Sequence, residues 1–541
     1  MIRRRSRHLW PATAVHTLVT AQGVAVAVAA LACTAGLAWW QVAIPAVAVA
    51  ALCLLPVRGR CLLDWTATLI GYLSNGTGDA GQSTDAPTPD GSVIGLRWEA
   101  GTVSTVIELL PDSGTTRLGR DRVDGDHRVP LRELAESLRR HDIALAGIDV
   151  VAHGSRVDPG TAAGEVYRDL IGPLPAVARR TVWLAIRFDA ASETEAVARR
   201  GGGRAGAARA VSVATQRIVN SLTVSGVRGR ILSATDIDSV AAVIAGDPEH
   251  DTGARSWTHA PVHGGCNTGY SVDPRLLDAG MLAAVWSARS DATTVTVRLR
   301  PGPTSREVRV AASCRFNSAA LPSRPDVPGL VPTIGRDRAA LRSHLPGAPP
   351  KLDALTDFTT VEPGWLDATV VPAGGCGQLI GADAEGRAVA VRLAGDVEVV
   401  GELYLAQQLV FRAVATGARV VVHSSRPHVW RSLVDAVAAP ERLRVADREG
   451  WSGYGVTTIV VDGTDTLRPD PSVTVIRLLA SPADLSPTAS ATVVQPGARG
   501  NRIILWANRI RSELTLVTTP GETAYLGRPH ASVRVPSGQP G

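Results

Sequence analysis

Two Asp-x-Asp pairs, Asp124-Gly125-Asp126 and Asp236-Ile237-Asp238, have the spacing in this chain that most invites chemistry. Carboxylates one residue apart suit Mg²⁺ or Mn²⁺, the cations that sit under a nucleotide diphosphate. The same residue types also begin helices, where Asp and Ser accept from free amides. "SATDIDSVAAV" reads as such a start, so capping is the reading adopted for it. Gly201, Gly202 and Gly203, in "RRGGGRAGAARAVSVATQRIVNSL", form a possible ligand turn in which bare amides cradle a phosphate. The turn lacks the strand-then-helix GxGxxG frame, and glycines inside a helix also serve as a kink or close-packing point. Cys376, in "GGCGQLIGADAEG", acts as a nucleophile only beside a base and an oxyanion site; a buried thiol in a turn is the plainer reading. His153 and His263 read as loop histidines with satisfied hydrogen bonds. No GxSxG elbow and no HExxH occurs. No catalytic, metal or cofactor residue is assigned, and the chain reads as a non-enzyme.

Composition narrows the function further. The chain has 541 residues and a formal charge of +6. Six arginines and no acid fall in residues 1–60, so the remainder of the chain is neutral. A nucleic-acid-binding domain carries a net basic footprint, and no nucleic-acid partner is expected. Lys351 is the only lysine, and "GAPPKLDAL" cannot supply the Gly-Lys-Ser/Thr of a phosphate-binding loop. The chain is therefore not a P-loop ATPase. The six cysteines, at 33, 53, 61, 266, 314 and 376, form no CxxC pair. Buried thiols are expected rather than disulfides or zinc.

Those candidates must be carried by a chain that begins with an unusual stretch. From Val15 to Arg60 no Asp, Glu, Lys or Arg appears before Arg58. A membrane helix needs about 20 apolar residues, and this run is twice that length. Two spans are expected, about 17–38 and 42–57, broken at Trp39-Trp40-Gln41 where indoles and a polar side chain suit the headgroup level. Pro45 is tolerable near the start of the second. Arg3, Arg4, Arg5 and Arg7 precede the pair, and Arg58 and Arg60 follow it, so both flanks are read as cytoplasmic. A secretory signal is the rival reading, but its apolar core is only about 7 to 15 residues long. Residues 1–60 thus read as a membrane anchor in the inner (plasma) membrane, with both termini cytoplasmic.

Beyond the anchor, residues 61–73 read as a juxtamembrane amphipathic helix with Leu62, Trp65, Leu69 and Leu73 on one face. Those four, with the small residues Gly23, Ala27 and Ala30 of the first span, are the candidate partner-binding residues. The small stripe serves equally well to hold the two spans together. Residues 74–91 read as a flexible linker. A first α/β lobe is expected over 92–320, a Pro-rich linker over 321–352, a second α/β lobe over 353–531, and a loose tail over 532–541. Hairpins mix with βαβ-like units, so the fold class is mixed α/β (α+β) in two lobes behind a two-helix hairpin.

Several segments together resemble a known family. After the hairpin come "GRCLLDW", "IDVVAHGSR", "GPLPAVARRTVWLAIRFD", "EAVARRGGGRAGAARA", "LLAAVWSARSDATTVTVRLRPG", "GGCGQLIGADAEGRAVA" and "LYLAQQLVFRAVATGARVVVHSSRPHVWRSLVDAV". The chain resembles EccE, a membrane component of the type VII (ESX) secretion systems of mycobacteria and related actinobacteria, over nearly all residues after 10. The resemblance implies a two-span structural subunit that stabilises an inner-membrane channel complex, with EccB, EccC and EccD subunits and the lipid bilayer as partners. It carries over no catalytic residues. Because the family's cytosolic domain is likened in fold to glycosyltransferases, the rival is a membrane-anchored enzyme using a divalent metal and a nucleotide sugar.

Overall fold

The computed structural model describes residues 15–527, apart from 35–37, 58–59, 75–80, 89–90, 100, 113, 246–255, 263–264, 305–306, 322–323, 447–454, 465–472 and 499. The expectations for His263, for Arg3 to Arg7, for Arg58 and for the tail 532–541 lie outside the described residues. The described chain forms two compact units, residues 1–80 with 334–336, and residues 81–333 with 337–541.

The smaller unit opens with a pair of helices, Val15–Thr34 and Trp39–Leu54, packed on each other. Ala21 is buried in that contact, and Val24, Ala25, Val28, Ala29 and Ala32 are half-buried beside it. Gly23, Ala27 and Ala30 are exposed, whereas the small residues Ala21, Ala25, Ala29 and Ala32 are buried or half-buried. Gln41 is not in the corner. It lies in the first turn of the second helix, where its side chain accepts from the Ala38 amide at 2.9 Å.

The two expected spans need correction. Among the described residues, no helix is long and apolar enough to cross a membrane. The second helix has 16 residues, which rise about 24 Å against a hydrocarbon core of about 30 Å. Its C-terminus is fixed by a tight corner in which Pro56–Val57 pairs with Arg60–Cys61, so it stops short of the expected residue 57.

A third helix, Leu62–Ser74, follows that corner. Trp65 donates from Nε1 to the Val57 carbonyl at 2.9 Å, and the Arg60 guanidinium lies 5.4 Å from its ring centre. Thr68 is buried and accepts from Arg336 Nε at 3.0 Å, while Arg60 reaches the Ile334 carbonyl at 3.3 Å. The expected apolar stripe therefore splits. Leu62 and Trp65 are half-buried near the corner, whereas Leu69 and Leu73 are exposed because the corner reaches only the first turns.

The larger unit is mixed α/β, as the patterning implies, and its described residues are built on two sheets of twelve strands each. The first is antiparallel throughout. Its main path runs Ala260–Val262, Gly265–Val272, Val308–Ser318, Ala292–Pro301, Gly147–Ser155, Arg179–Asp189, Thr102–Leu110, Val93–Glu99, Gln82–Pro87. Alternation along these strands feeds two faces. Val150, Val182, Leu184 and Val297 enter a core with helices Leu131–Ser137, Gly203–Val224 and Ala279–Ser287. Val151, Trp183 and Ala185 face the other way, into a smaller cluster with Ile237 and Ile244 of helix Ala234–Ala245.

The second sheet has a parallel half, in the order Leu443–Val445, Val420–Ser424, Thr458–Asp462, Thr474–Leu479, Asp396–Val400, Ala491–Val494. Parallel neighbours need crossovers, and helices Leu403–Ala415 and His428–Val437 provide two of them. An antiparallel half continues it and ends in the hairpin Gly114–Leu118/Val123–Gly125. That hairpin precedes most of the first sheet in sequence. Helix Ala162–Ile171 crosses over as well, placing Tyr167 and Ile171 in the second core, where the Tyr167 hydroxyl accepts from the Leu379 amide at 2.6 Å. Residues 82–87, inside the stretch that reads as a linker, form an edge strand on Val93–Glu99.

Candidate functional site

In the larger unit a cavity of about 320 Å³ lies between helix Ala279–Ser287 and the first sheet. Asp278 caps that helix by accepting from the Met281 amide at 2.7 Å. The cap sets the phase so that Ala279, Leu282, Ala283 and Trp286 share the face that lines the cavity. Opposite them, Ala152 pairs with Val295 and Val150 with Val297 across neighbouring strands, one face of a period-two pattern. Arg180 pairs with Gly154 in the next strand and falls on that same face. Asp121 and Arg122, both exposed, stand at the rim.

Of the charged residues that line the cavity, Arg180 is the buried one. Its guanidinium stacks 4.3 Å from the centre of the Trp286 ring. Among the described residues its one hydrogen bond is a long one, from Nη1 to the Gly374 carbonyl at 3.5 Å, and Nε is buried without an acceptor. Burial pulls its pKa down to about 10, against a smaller opposing effect of the Cys376 thiol. It stays cationic at neutral pH. Cys376 is a buried thiol, as expected. It donates to the Val177 carbonyl at 3.2 Å, and burial raises its pKa although Arg180 and Arg156 act in the other direction. The sequence pointed to neither Arg180 nor Trp286. The available signal was an Arg-Arg pair opening an otherwise apolar strand.

The residues singled out by type lie elsewhere. Ser233 and Asp236 form a reciprocal cap at the start of helix Ala234–Ala245. Asp236 Oδ2 accepts from the Ser233 amide at 3.2 Å, and Ser233 Oγ accepts from the Asp236 amide at 3.1 Å. Asp236 also pairs with Arg230 at 3.0 Å, and Asp238 accepts from Ser83 at 2.7 Å. Of the other pair, Asp126 accepts from the Thr115 amide at 2.8 Å and Asp124 pairs with Arg122 at 2.9 Å. Among the described residues, no three His, Cys, Asp or Glu side chains are grouped to hold a metal. His153 is in a strand rather than a loop. It shares a hydrogen bond with Thr294 at 2.9 Å, and burial beside Arg315 pushes it down to about 3.

The triglycine does not interrupt one long helix; it separates two, Thr194–Ala198 and Gly203–Val224. All three glycines have positive φ, and Gly202 (φ 72°, ψ 171°) is the N-cap of the second helix. The amides of Gly201 and Gly202 donate back to Ala198 and Val197 at 3.1 and 3.0 Å. Two of the amides expected to face a phosphate are therefore used to end the preceding helix. A Cβ at Gly202 meets nothing within 4 Å, so the cost of adding one is backbone strain alone. Gly202→Ala is expected to lower stability by about 1–3 kcal/mol, read from chemical denaturation. An unchanged midpoint would refute the backbone account.

Residues 176–272 match a family model described as "Putative type VII ESX secretion system translocon, EccE". That segment holds Arg180, the triglycine and the Ser233–Asp236 cap. The chain is similar to the ESX-2 secretion system protein EccE2 of Mycobacterium tuberculosis, at 26% identity over 468 residues, 80% of this chain and 84% of that one. It is also similar to the ESX-5 secretion system protein EccE5 of Mycobacterium marinum, at 28% over 334 residues, 57% of this chain and 80% of the relative. The ESX-1 secretion system protein EccE1 of Mycolicibacterium smegmatis is 26% identical over 377 residues, 68% and 73% of the two chains.

Proposed function

We infer that this chain, which belongs to the EccE family of type VII (ESX) secretion, is a structural component of an ESX membrane complex. The observation that carries the reading is where apolar surface is left uncovered. The large hydrophobic side chains that remain exposed concentrate in residues 18–73, on the helix pair and on the stem helix. A contiguous apolar surface of that kind marks a protein or membrane contact. The helix pair holds the chain at the membrane complex through that apolar surface. The stem then docks on neighbouring membrane subunits of the EccB, EccC and EccD type, and the chain stabilises the channel assembly through such contacts.

On the stem, Leu69, Ile70 and Leu73 are 48%, 65% and 68% exposed, whereas Trp65 is engaged by the corner. The docking face is therefore the outer half of the helix. Burying such side chains stabilises by roughly 1.5–3 kcal/mol each. Leu69→Asp with Leu73→Asp should release the chain from the detergent-extracted complex while it still sediments with membranes. Co-purification of the double variant with the other membrane subunits at wild-type yield would sink the stem as the docking surface. Loss of the variant from the membrane fraction would show instead that the stem, rather than the helix pair, holds the chain there.

A further inference from the structure

Arg180 differs from every other buried arginine among the described residues. Arg97 faces Asp238 at 3.6 Å. Arg187 and Arg300 pair with Asp149, each at 2.7 Å, and Arg412 pairs with Glu522 at 2.7 Å. Arg156 donates to the carbonyls of Gly172, Leu174 and Ser287 at 2.6 to 3.0 Å. Arg298 donates to Ser313 and Ser343, each at 2.8 Å, and Arg315 to Thr294 and Asn267. Arg180 is 9% exposed and, among the described residues, has no carboxylate within ion-pair distance and only the long bond to the Gly374 carbonyl; its Nε lacks an acceptor, as do those of Arg187 and Arg298, but those two have carboxylates beside them. A buried charge without a counter-charge is among the least favourable groups a fold can hold. This one lines a cavity whose other walls are chiefly apolar. The volume, about 320 Å³, is at the lower end of the roughly 300–1,000 Å³ of small-molecule sites. Such sites combine an apolar lining with a few placed polar groups, which is the arrangement here.

We propose that this cavity binds a small amphipathic carboxylate, its apolar body against Val150, Val295 and Leu282 and its carboxylate on the Arg180 guanidinium. The Trp286 ring holds the guanidinium flat from one side, leaving its edge for a planar, charge-assisted contact. An alcohol of the same shape fills the cavity and leaves the charge unanswered. A cation is repelled. A two-chain phospholipid is too large for the volume. The site is independent of the docking surface argued above, since no residue of the helix pair or stem lines it.

The test is calorimetric titration of the full chain in maltoside detergent with 4-phenylbutyrate and, in parallel, 4-phenylbutanol. The acid is expected to bind one to one, about ten- to hundredfold more tightly than the alcohol, the usual effect of a hydrogen bond to a charged group. Arg180→Met should bring the acid down to the affinity of the alcohol without lowering the melting temperature, because it removes an unpaired charge. Ala283→Trp should abolish binding of both by filling the cavity. The proposal is overturned if the acid shows no saturable heat at millimolar concentration. It is equally overturned if both variants bind it like wild type, which would mean a surface or micelle effect. A melting temperature for Arg180→Met reduced as far as a broken ion pair reduces it would give Arg180 a structural partner and also refute the site.

Discussion

Asp149→Asn is expected to destabilise the larger unit by about 3–5 kcal/mol. Asp149 is buried in the strand Gly147–Ser155, and its two oxygens meet Arg187 Nη2 and Arg300 Nη1, each at 2.7 Å. Arg300 continues to Asp353 at 2.8 Å, and Arg187 reaches the same carboxylate at 3.2 Å. The asparagine keeps the shape and leaves two guanidinium groups short of a counter-charge in the interior. Burial alone would raise the Asp149 pKa. The charges of Arg187, Arg300 and Arg298 outweigh it and hold the group at about 2. A carboxylate depressed in the folded state contributes its stability above the ordinary carboxylate range. That contribution is lost as pH falls from about 4 toward 2. Chemical denaturation at neutral pH and at pH 3 checks both statements. A loss below about 1 kcal/mol at neutral pH would mean that the network relaxes around the amide.

Glu522→Ala is the second large effect, about 3 kcal/mol or more, and it is local in its consequences. Glu522 is fully buried and accepts from Arg412 Nε and Nη2 at 2.7 and 2.8 Å. Arg412 projects from helix Leu403–Ala415 and also donates to the carbonyls of Leu379 and Ile380 at 2.8 and 3.4 Å. The carboxylate comes from the short helix Pro520–Leu526, which starts with Thr519 accepting from the Glu522 amide. Without the pair, that helix keeps apolar contacts alone, through Leu526 and through Tyr525 on Phe411 with ring centres 4.9 Å apart. Hydrogen exchange should show residues 520–526 opening first, ahead of the parallel strands. Uniform loss of protection across the unit would show that the pair supports the whole second core rather than its last helix.

Some of this architecture is legible from local pattern. The Ser233-to-Asp236 spacing signals a helix start because both hydrogen bonds are made within one turn. The stem helix is legible for the same reason, since its apolar spacing repeats with the helix period. The stripe itself divides: Leu62 and Trp65 are half-buried beside Pro56–Cys61, a contact that periodicity does not encode. In the first helix, the small residues at 21, 25 and 29 and those at 23, 27 and 30 are equally plausible as a packing face. Composition gives no preference, and in the fold it is the former that are buried or half-buried.

The sequence by itself determined the two apolar helices at its start, the absence of a Lys-bearing phosphate loop, the helix caps and the alternation of the main strands. These follow from interactions within a few residues. Tertiary structure alone decided which strands meet. The hairpin Gly114–Leu118/Val123–Gly125 joins the second sheet beside Ala388–Arg392, and helix Ala162–Ile171 leaves the first core for the second. Backbone ladder hydrogen bonds are the same for any pair of sequences, so a strand's partner is set by packing of distant faces. The status of Arg180 was decided in the same way. Its type and position are local facts, but its lack of a counter-charge depends on residues over a hundred positions away that happen to be Trp286, Val295 and Gly374.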